Sequence, residues 1–263
     1  MRPAEKGSLM GPAENGTLRG PTENGTLMRP AGNALRRRAP DQSLPTSPRG
    51  TLLVPYYEHP SDRPAEWDAL IAAAPRLHGV VLNPASGPGE RPDPAFADVA
   101  GRLRAADARV LGYTDTDYGR RPVADVVREL TRHRAWYRAD GIFLDQVASG
   151  EAEFAYYRRL ASAAWSLGFG TLVLNHGTTP HSSYARIADV LVTFEGTWQT
   201  YRRNTLPPWT GTGARLCHLV HGVPAGVDLA AAARERGATL HCAVPGVGDH
   251  PWGTLPHALE PAR

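Results

Sequence analysis

The sequence has a single lysine, Lys6, among its 29 basic residues. A Schiff-base aldolase needs a lysine in its active site, and Lys6 lies in an N-terminal stretch without a hydrophobic core, so that class is excluded. Only two cysteines are present, Cys217 and Cys242. They lack metal-ligand spacing, and we interpret them as small buried apolar residues, with a disulfide as the alternative. No apolar run approaches eighteen residues, so we expect no membrane span.

The folded part of the chain also lacks an excess of positive charge. Residues 1–50 carry eight Lys/Arg against four Asp/Glu, whereas the remainder carries 21 against 22. A nucleic-acid-binding domain needs a basic face, so we expect no nucleic-acid partner. No apolar stretch follows residues 1–6, and we therefore expect no secretory signal and a cytoplasmic location for the chain as written.

The N-terminal stretch contains a nine-residue repeat. Similar Pro- and Gly-containing segments occur at residues 3–9, 12–18 and 21–27. A period of nine is too short for a solenoid of helix pairs, and the segment has too few aliphatic residues to offset the entropy lost on ordering. We predict that residues 1–50 form a disordered, low-complexity tail and that residues 51–263 form one domain.

From residue 51 onward, apolar segments alternate with helical patterns. Eight strands are predicted, at residues 51–57, 79–84, 108–113, 141–147, 170–177, 189–195, 214–221 and 238–244. Near-continuous apolar strands separated by helices favour a covered parallel sheet. The sequence therefore predicts an α/β protein, a single-domain (β/α)8 TIM barrel. The alternative is an open doubly wound sheet, which the absence of a Gly-rich first turn disfavours; no clear helix follows Pro245.

Two carboxylates stand at the ends of buried strands. Asp145 ends the fourth strand and Glu195 the sixth. An unpaired charge in a core costs several kcal/mol, and barrel active sites lie at the carboxyl ends of the strands. Strand alternation places Asp145, Asn175 and Glu195 towards the barrel axis, with Val192 pointing outward. An ion pair with arginine remains the alternative for each carboxylate.

A pair of carboxylates surrounded by Tyr, Trp, Asn and His is typical of glycoside cleavage. One carboxylate attacks or supports the anomeric carbon, and the other delivers a proton to the leaving oxygen, with no metal or cofactor required. Strands four and six are separated by one strand, so the two side chains are expected roughly 5–7 Å apart, which overlaps the separation in retaining enzymes.

The remaining polar and aromatic residues at the strand ends are candidates for substrate binding. They are Tyr56, Tyr57, Asn83, Tyr113, Gln146, Asn175, His176, Trp198 and His221. The aromatic side chains, with Trp209 and Trp252, are expected to stack on sugar faces or to cap the barrel rim. Strand alternation also allows His176 to point outward, and in that case it would bond to a helix or loop instead of the substrate.

Other barrel chemistries have weaker support. No His-x-His closes the first strand, which disfavours a metal-dependent amidohydrolase. His218 and His221 are three apart on one strand and face opposite sides, so they make a poor metal pair. Gly246-Val247-Gly248 is a weak phosphate-loop pattern without an evident following helix. An enzyme of phosphorylated metabolites is therefore a minor alternative.

Several motifs, in this order along the chain, resemble the spherulin 4-like family. They are Val54-Pro55-Tyr56-Tyr57, Val81-Leu82-Asn83-Pro84, Gly112-Tyr113, Gly141-Ile142-Phe143-Leu144-Asp145 and Phe194-Glu195. The resemblance implies a (β/α)8 fold and an endo-acting activity like that of glycoside hydrolase family 135, on α-1,4-linked N-acetylgalactosamine or galactosamine polysaccharides. By analogy with the related family 114, it implies Asp145 as nucleophile and Glu195 as acid/base.

The chain departs from the family pattern at one position. The family's enzymes carry Asp-Glu at the end of the fourth strand, where this chain has Asp145-Gln146. Glutamine binds sugar hydroxyls but does not exchange a proton, so a carbohydrate-binding barrel with impaired catalysis is the second hypothesis. The expected partner is a poly- or oligosaccharide; the oligomeric state is left open, with a monomer favoured. Family members are generally secreted, which leaves the location open.

Overall fold

Eight parallel strands close into a barrel in the order of the sequence. The computed structural model describes residues 50–203, 205, 209 and 211–259. The strands are β1 (Leu52–Pro55), β2 (Leu77–Leu82), β3 (Val110–Asp115), β4 (Gly141–Asp145), β5 (Thr171–Asn175), β6 (Val190–Thr197), β7 (Arg215–His221) and β8 (Leu240–Ala243). The prediction of a (β/α)8 barrel is confirmed, and the open doubly wound sheet is excluded. The predicted N-terminal tail lies outside the described residues.

Six α-helices occur among the residues described. They are α1 (Pro64–Ala72), α2 (Pro94–Ala105), α3 (Val123–Tyr137), α4 (Phe154–Ser166), α5 (Trp198–Arg203) and α6 (Leu229–Glu235). Asp93 caps α2: its side chain accepts hydrogen bonds from the amides of Ala95 and Phe96. A 3-10 turn over Ser182–Arg186 replaces a helix between β5 and β6. None of the described helices has the length and apolar character to span a bilayer.

The strands are buried along nearly their whole length. Every residue of β2 and of β5 is buried. Side chains on one face fill the barrel and those on the other pack beneath the helices, which explains why these strands are apolar without alternation. Cys217 and Cys242 are both free and buried, so the disulfide alternative is wrong. Burial raises the pKa of both thiols, and they act as small apolar residues.

The chain after β8 forms two 3-10 turns, Pro251–Gly253 and His257–Leu259, and no α-helix is found in the described residues there. A cavity of about 360 Å³ lies on the outer side of β8, where Leu52, His241 and Leu229 contribute to its wall. The first of the two turns lies at the carboxyl end of the barrel, where the Tyr57 amide after β1 donates to the Trp252 carbonyl at 3.1 Å.

Gly141 starts β4 at a close approach between strands. A Cβ atom there would lie 2.5 Å from the Thr171 carbonyl oxygen and 2.6 Å from Leu111 Cδ2. Because one obstacle is backbone, we expect Gly141→Ala to lower the free energy of unfolding by about 2–3 kcal/mol. Gly101, inside α2, has no atom within 4 Å of the place where a Cβ would lie, so Gly101→Ala is expected to raise it by up to about 1 kcal/mol. Urea unfolding of both variants tests this; equal stabilities would contradict it.

Candidate active site

The side chain of Asn175 joins the two predicted catalytic carboxylates. Its Nδ2 atom donates to Asp145 Oδ1 at 2.7 Å and to Glu195 Oε2 at 2.5 Å. Those two oxygens therefore lie at most about 5 Å apart, which is nearer to the carboxyl separation of about 5–5.5 Å in retaining glycosidases than to the roughly 6.5–9.5 Å of inverting ones. The amide oxygen of Asn175 accepts from the Gly177 amide at 3.1 Å, which fixes the side-chain orientation. All three side chains meet at the carboxyl end of the barrel.

A bulge in β6 sets the position of Glu195. Val192 pairs with Asn175 on β5 and with Cys217 on β7, and the register with β7 then shifts before Phe194. Val192 therefore shares the axis-facing side with Asn175, and the prediction that it points outward is wrong. Because the extra residue resets the alternation, Phe194 packs outward on Tyr201 and Glu195 faces the axis.

Two tyrosines border Asp145. The Tyr113 hydroxyl donates to Asp145 Oδ2 at 2.8 Å, and the Tyr57 ring packs edge-on against Tyr113 with centroids 5.5 Å apart. Burial and the neighbouring charges of Asp145 and Glu195 raise the pKa of both phenols. Both tyrosines therefore stay neutral, and the Tyr113 hydroxyl acts as a hydrogen-bond donor to Asp145.

The two carboxylates differ in their electrostatic environment. Burial, followed by the charge of Asp145, raises the pKa of Glu195 to about 7. Burial also raises the pKa of Asp145, but the donors Tyr113 and Asn175 act against this rise. Neither carboxylate forms an ion pair with arginine or histidine in the part of the chain that the structure describes, so the ion-pair alternative has no support there. Glu195 is thus the group that holds a proton near neutral pH.

Trp252 contacts Glu195 directly, a contact that sequence reasoning did not find. Its indole Nε1 donates to Glu195 Oε1 at 3.0 Å. The imidazole of His221 packs edge-on against the same indole with ring centroids 6.1 Å apart, and His221 Nδ1 is buried without a partner in the described structure. His221 therefore lies against the indole that contacts Glu195, and its assignment to substrate binding stays a prediction.

Gln146 follows Asp145 in a left-handed backbone conformation, with φ 48°. This conformation is uncommon for residues other than glycine and often marks a functional site. Its carbonyl oxygen accepts from the Tyr118 amide at 2.8 Å and from the Thr116 hydroxyl at 2.9 Å. The backbone of Gln146 thus ties the loops after β3 and β4 together, and its side chain remains partly exposed.

Two predicted substrate-binding residues lie elsewhere. Tyr56 is 1% exposed and packs on Trp67 of α1, because the residue before the axis-facing Tyr57 must point outward. His176 is also buried on the outer side, where its Nδ1 bonds the Ala148 carbonyl at 3.0 Å. The structure therefore corrects the assignment of these two residues to substrate binding. Trp198 stacks on Tyr201 and stays partly exposed, so its assignment stays a prediction.

Asn83 follows β2 and has a local structural contact. Its Oδ1 accepts from the Gly87 amide at 2.8 Å, which stabilises the turn after β2 and leaves the amide nitrogen for other contacts. The Gly246 amide, part of the weak phosphate-loop pattern, is already bonded to the Thr254 hydroxyl at 3.0 Å. No group of three or more potential metal ligands occurs among the residues described.

Comparisons with known proteins identify similar chains. The model of the spherulation-specific family 4 matches residues 51–246. Spherulin-4 of Physarum polycephalum is 34% identical over 158 residues, which cover 58% of this chain and 47% of that protein. This chain therefore matches about half the length of that relative. The crystal structure of Aspergillus clavatus Sph3 in complex with GalNAc is 27% identical, with a TM-score of 0.68, and the match covers 81% of this chain and 95% of Sph3.

Proposed function

The chain belongs to the spherulin 4 family, and we propose that it is an endo-acting, retaining glycoside hydrolase of α-1,4-linked N-acetylgalactosamine or galactosamine polysaccharides. The observation that carries the proposal is the bridge through Asn175, which holds two carboxylates of unlike protonation within reach of one glycosidic bond. The sugar class is supported by the GalNAc bound to Sph3, whose fold this barrel shares.

The first chemical step uses both carboxylates. An ionised oxygen of Asp145 attacks the anomeric carbon, and the bond from that carbon to the leaving oxygen breaks as Glu195 transfers its proton to that oxygen. The products are a glycosyl ester on Asp145, a released sugar chain with a free hydroxyl, and an ionised Glu195. The hydrogen bonds from Tyr113 and Asn175 favour the ionised form of Asp145 against the effect of burial and orient it for attack.

The second step returns the enzyme to its starting state. Glu195 removes a proton from a water molecule, the water oxygen attacks the anomeric carbon, and the ester bond to Asp145 breaks. Two inversions at one carbon give net retention. The raised pKa of Glu195, about 7, suits a group that must both donate and accept a proton near neutral pH.

Release of reducing ends from defined polymers tests the proposal. We expect the purified protein to cleave an α-1,4-linked N-acetylgalactosamine polymer or its de-N-acetylated form, and to leave an α-1,4-glucan of the same linkage intact. Proton NMR of the first product should show the α-anomer before mutarotation. Absence of cleavage of either galactosamine polymer between pH 5 and 8 would overturn the hydrolase assignment, and an initial β-anomer would overturn retention.

A carbohydrate-binding barrel with impaired catalysis is the second candidate, and Gln146 is the observation that favours it. Under this hypothesis the wild-type protein binds the polymer without cleaving it, and Gln146→Glu supplies the missing acid. If the wild-type enzyme is active, we expect Gln146→Glu to change its rate by less than about tenfold. The reason is that Glu195 already transfers the proton and Asp145 already forms the covalent bond. Cleavage that appears only in Gln146→Glu would favour the second candidate.

A further inference from the structure

Trp252 reaches the catalytic carboxylates from outside the part of the chain that the family model matches. That match ends at residue 246, whereas Trp252 lies in the 3-10 turn Pro251–Gly253 beyond β8. Its side chain is 7% exposed, and the indole N–H points at Glu195 Oε1. A residue of the C-terminal segment is thus part of the site.

The turn that carries Trp252 is fixed from two sides. The Tyr57 amide at the end of β1 donates to the Trp252 carbonyl at 3.1 Å. The Thr254 hydroxyl donates to the Pro251 carbonyl at 3.0 Å and accepts from the Gly246 amide at the end of β8. These bonds hold the indole in one place relative to the strands that carry the site.

Together with Asn175, Trp252 places one N–H donor on each oxygen of Glu195. Asn175 Nδ2 donates to Oε2 and Trp252 Nε1 donates to Oε1. N–H donors stabilise the ionised carboxylate more than the neutral acid, and their effect is larger in a poorly solvated site. The two donors therefore stabilise the carboxylate that forms when Glu195 loses its proton.

We propose that Trp252 is a positioning residue, which orients Glu195 and stabilises the carboxylate formed when Glu195 protonates the leaving oxygen. The catalytic consequence rests on the proposed function. The contact between Trp252 and Glu195 does not depend on that function, and it can be measured on the protein without substrate.

The indole resonance of Trp252 reports the contact in nitrogen-15 correlation spectra. Six tryptophans are present, and the Trp252 signal is the one missing from Trp252→Phe. We expect this signal to shift with pH near neutrality in the wild type and to lose that shift in Glu195→Gln. A signal that does not move between pH 5 and 9, or that moves equally in Glu195→Gln, would overturn the proposal. Because this measurement needs no substrate, it separates failure of the proposal for Trp252 from failure of the proposed function.

Kinetics test the catalytic consequence. Trp252→Phe loses one hydrogen bond to a charged group, so we expect kcat/KM to fall by about 10- to 100-fold, mainly through kcat. Loss of the donor also raises the pKa of Glu195, so the basic limb of the pH profile should move upward by about one pH unit. Benzothienylalanine at the same position keeps the bicyclic shape without the N–H and should give the same upward shift.

Trp136→Phe is the matched control, since that indole packs beneath Arg132 on α3, and it should leave the profile unchanged. An unshifted pH limb in both Trp252 variants would reduce Trp252 to a packing role and overturn the proposal. Thermal unfolding of each variant shows whether the fold is retained, and the benzothienylalanine protein decides the outcome where Trp252→Phe is unstable.

Discussion

Asp145→Asn is expected to lower kcat/KM on the galactosamine polymer by on the order of 10⁴-fold or more. The size follows from the loss of a nucleophile, whose removal from a covalent mechanism costs about that much in other hydrolases. Asparagine keeps the shape of aspartate, but its single oxygen can serve only one of the donors Tyr113 and Asn175. The variant therefore loses one hydrogen bond of the site, and polymer binding shows whether the site is retained.

The matched control is Asp98→Asn, because the Asp98 side chain on α2 is 68% exposed and lies outside the barrel. At pH 6 the initial rate of reducing-end release by this control should be within about twofold of the wild-type rate, as is usual for surface changes. A rate of Asp145→Asn within tenfold of the wild type would remove Asp145 from the role of nucleophile. Binding of the polymer by Asp145→Asn, followed by calorimetry, should persist.

The barrel and the central part of the site follow from local patterns. Strands such as β2 and β5 are buried on both faces, and that burial is visible as apolar runs in the sequence. The period of a strand then places Asp145 and Asn175 on the axis. The same period applies to the first strand. Tyr56 and Tyr57 are adjacent, so their side chains point to opposite faces and only one of them can face the substrate.

Other features depend on contacts that are distant in sequence. Trp252 is 57 residues from Glu195 in the chain, and its turn has no repeating pattern that predicts a direction. The bulge before Phe194 comes from the fit between β6 and β7, which no single strand reveals. Asp115 ends β3 much as Asp145 ends β4, and the two are paired across the sheet. Only the structure shows that Asp115 Oδ1 accepts a hydrogen bond from the Asp117 amide, whereas Asp145 bonds Asn175.

Glu195→Gln is expected to abolish most of the activity and to change how stability depends on pH. Loss of a general acid typically costs about 10²–10⁴-fold in rate. In the wild type, activity should fall as the pH rises through about 7, the pKa to which burial and the charge of Asp145 raise Glu195. Glutamine has no proton to lose, so any residual rate of the variant should lack this fall.

The effect on stability has a definite sign. The unfolded chain loses the Glu195 proton near its ordinary pKa of 4.5, whereas the folded protein keeps it to about 7. Between these values the folded state binds more protons, so the free energy of unfolding decreases as pH rises. The loss is complete above the folded pKa and amounts to at most about 3 kcal/mol.

Urea unfolding at pH 5 and pH 8 measures this contribution. The wild type should lose up to about 3 kcal/mol more than Glu195→Gln between the two values. Glutamine offers only one acceptor to the donors Asn175 and Trp252, which adds a cost at both pH values and cancels in the difference. Glu90→Gln, a change at an exposed position, should follow the wild type. If Glu195→Gln lost as much stability as the wild type, Glu195 would not hold its proton in the folded state, and it would no longer qualify as the acid.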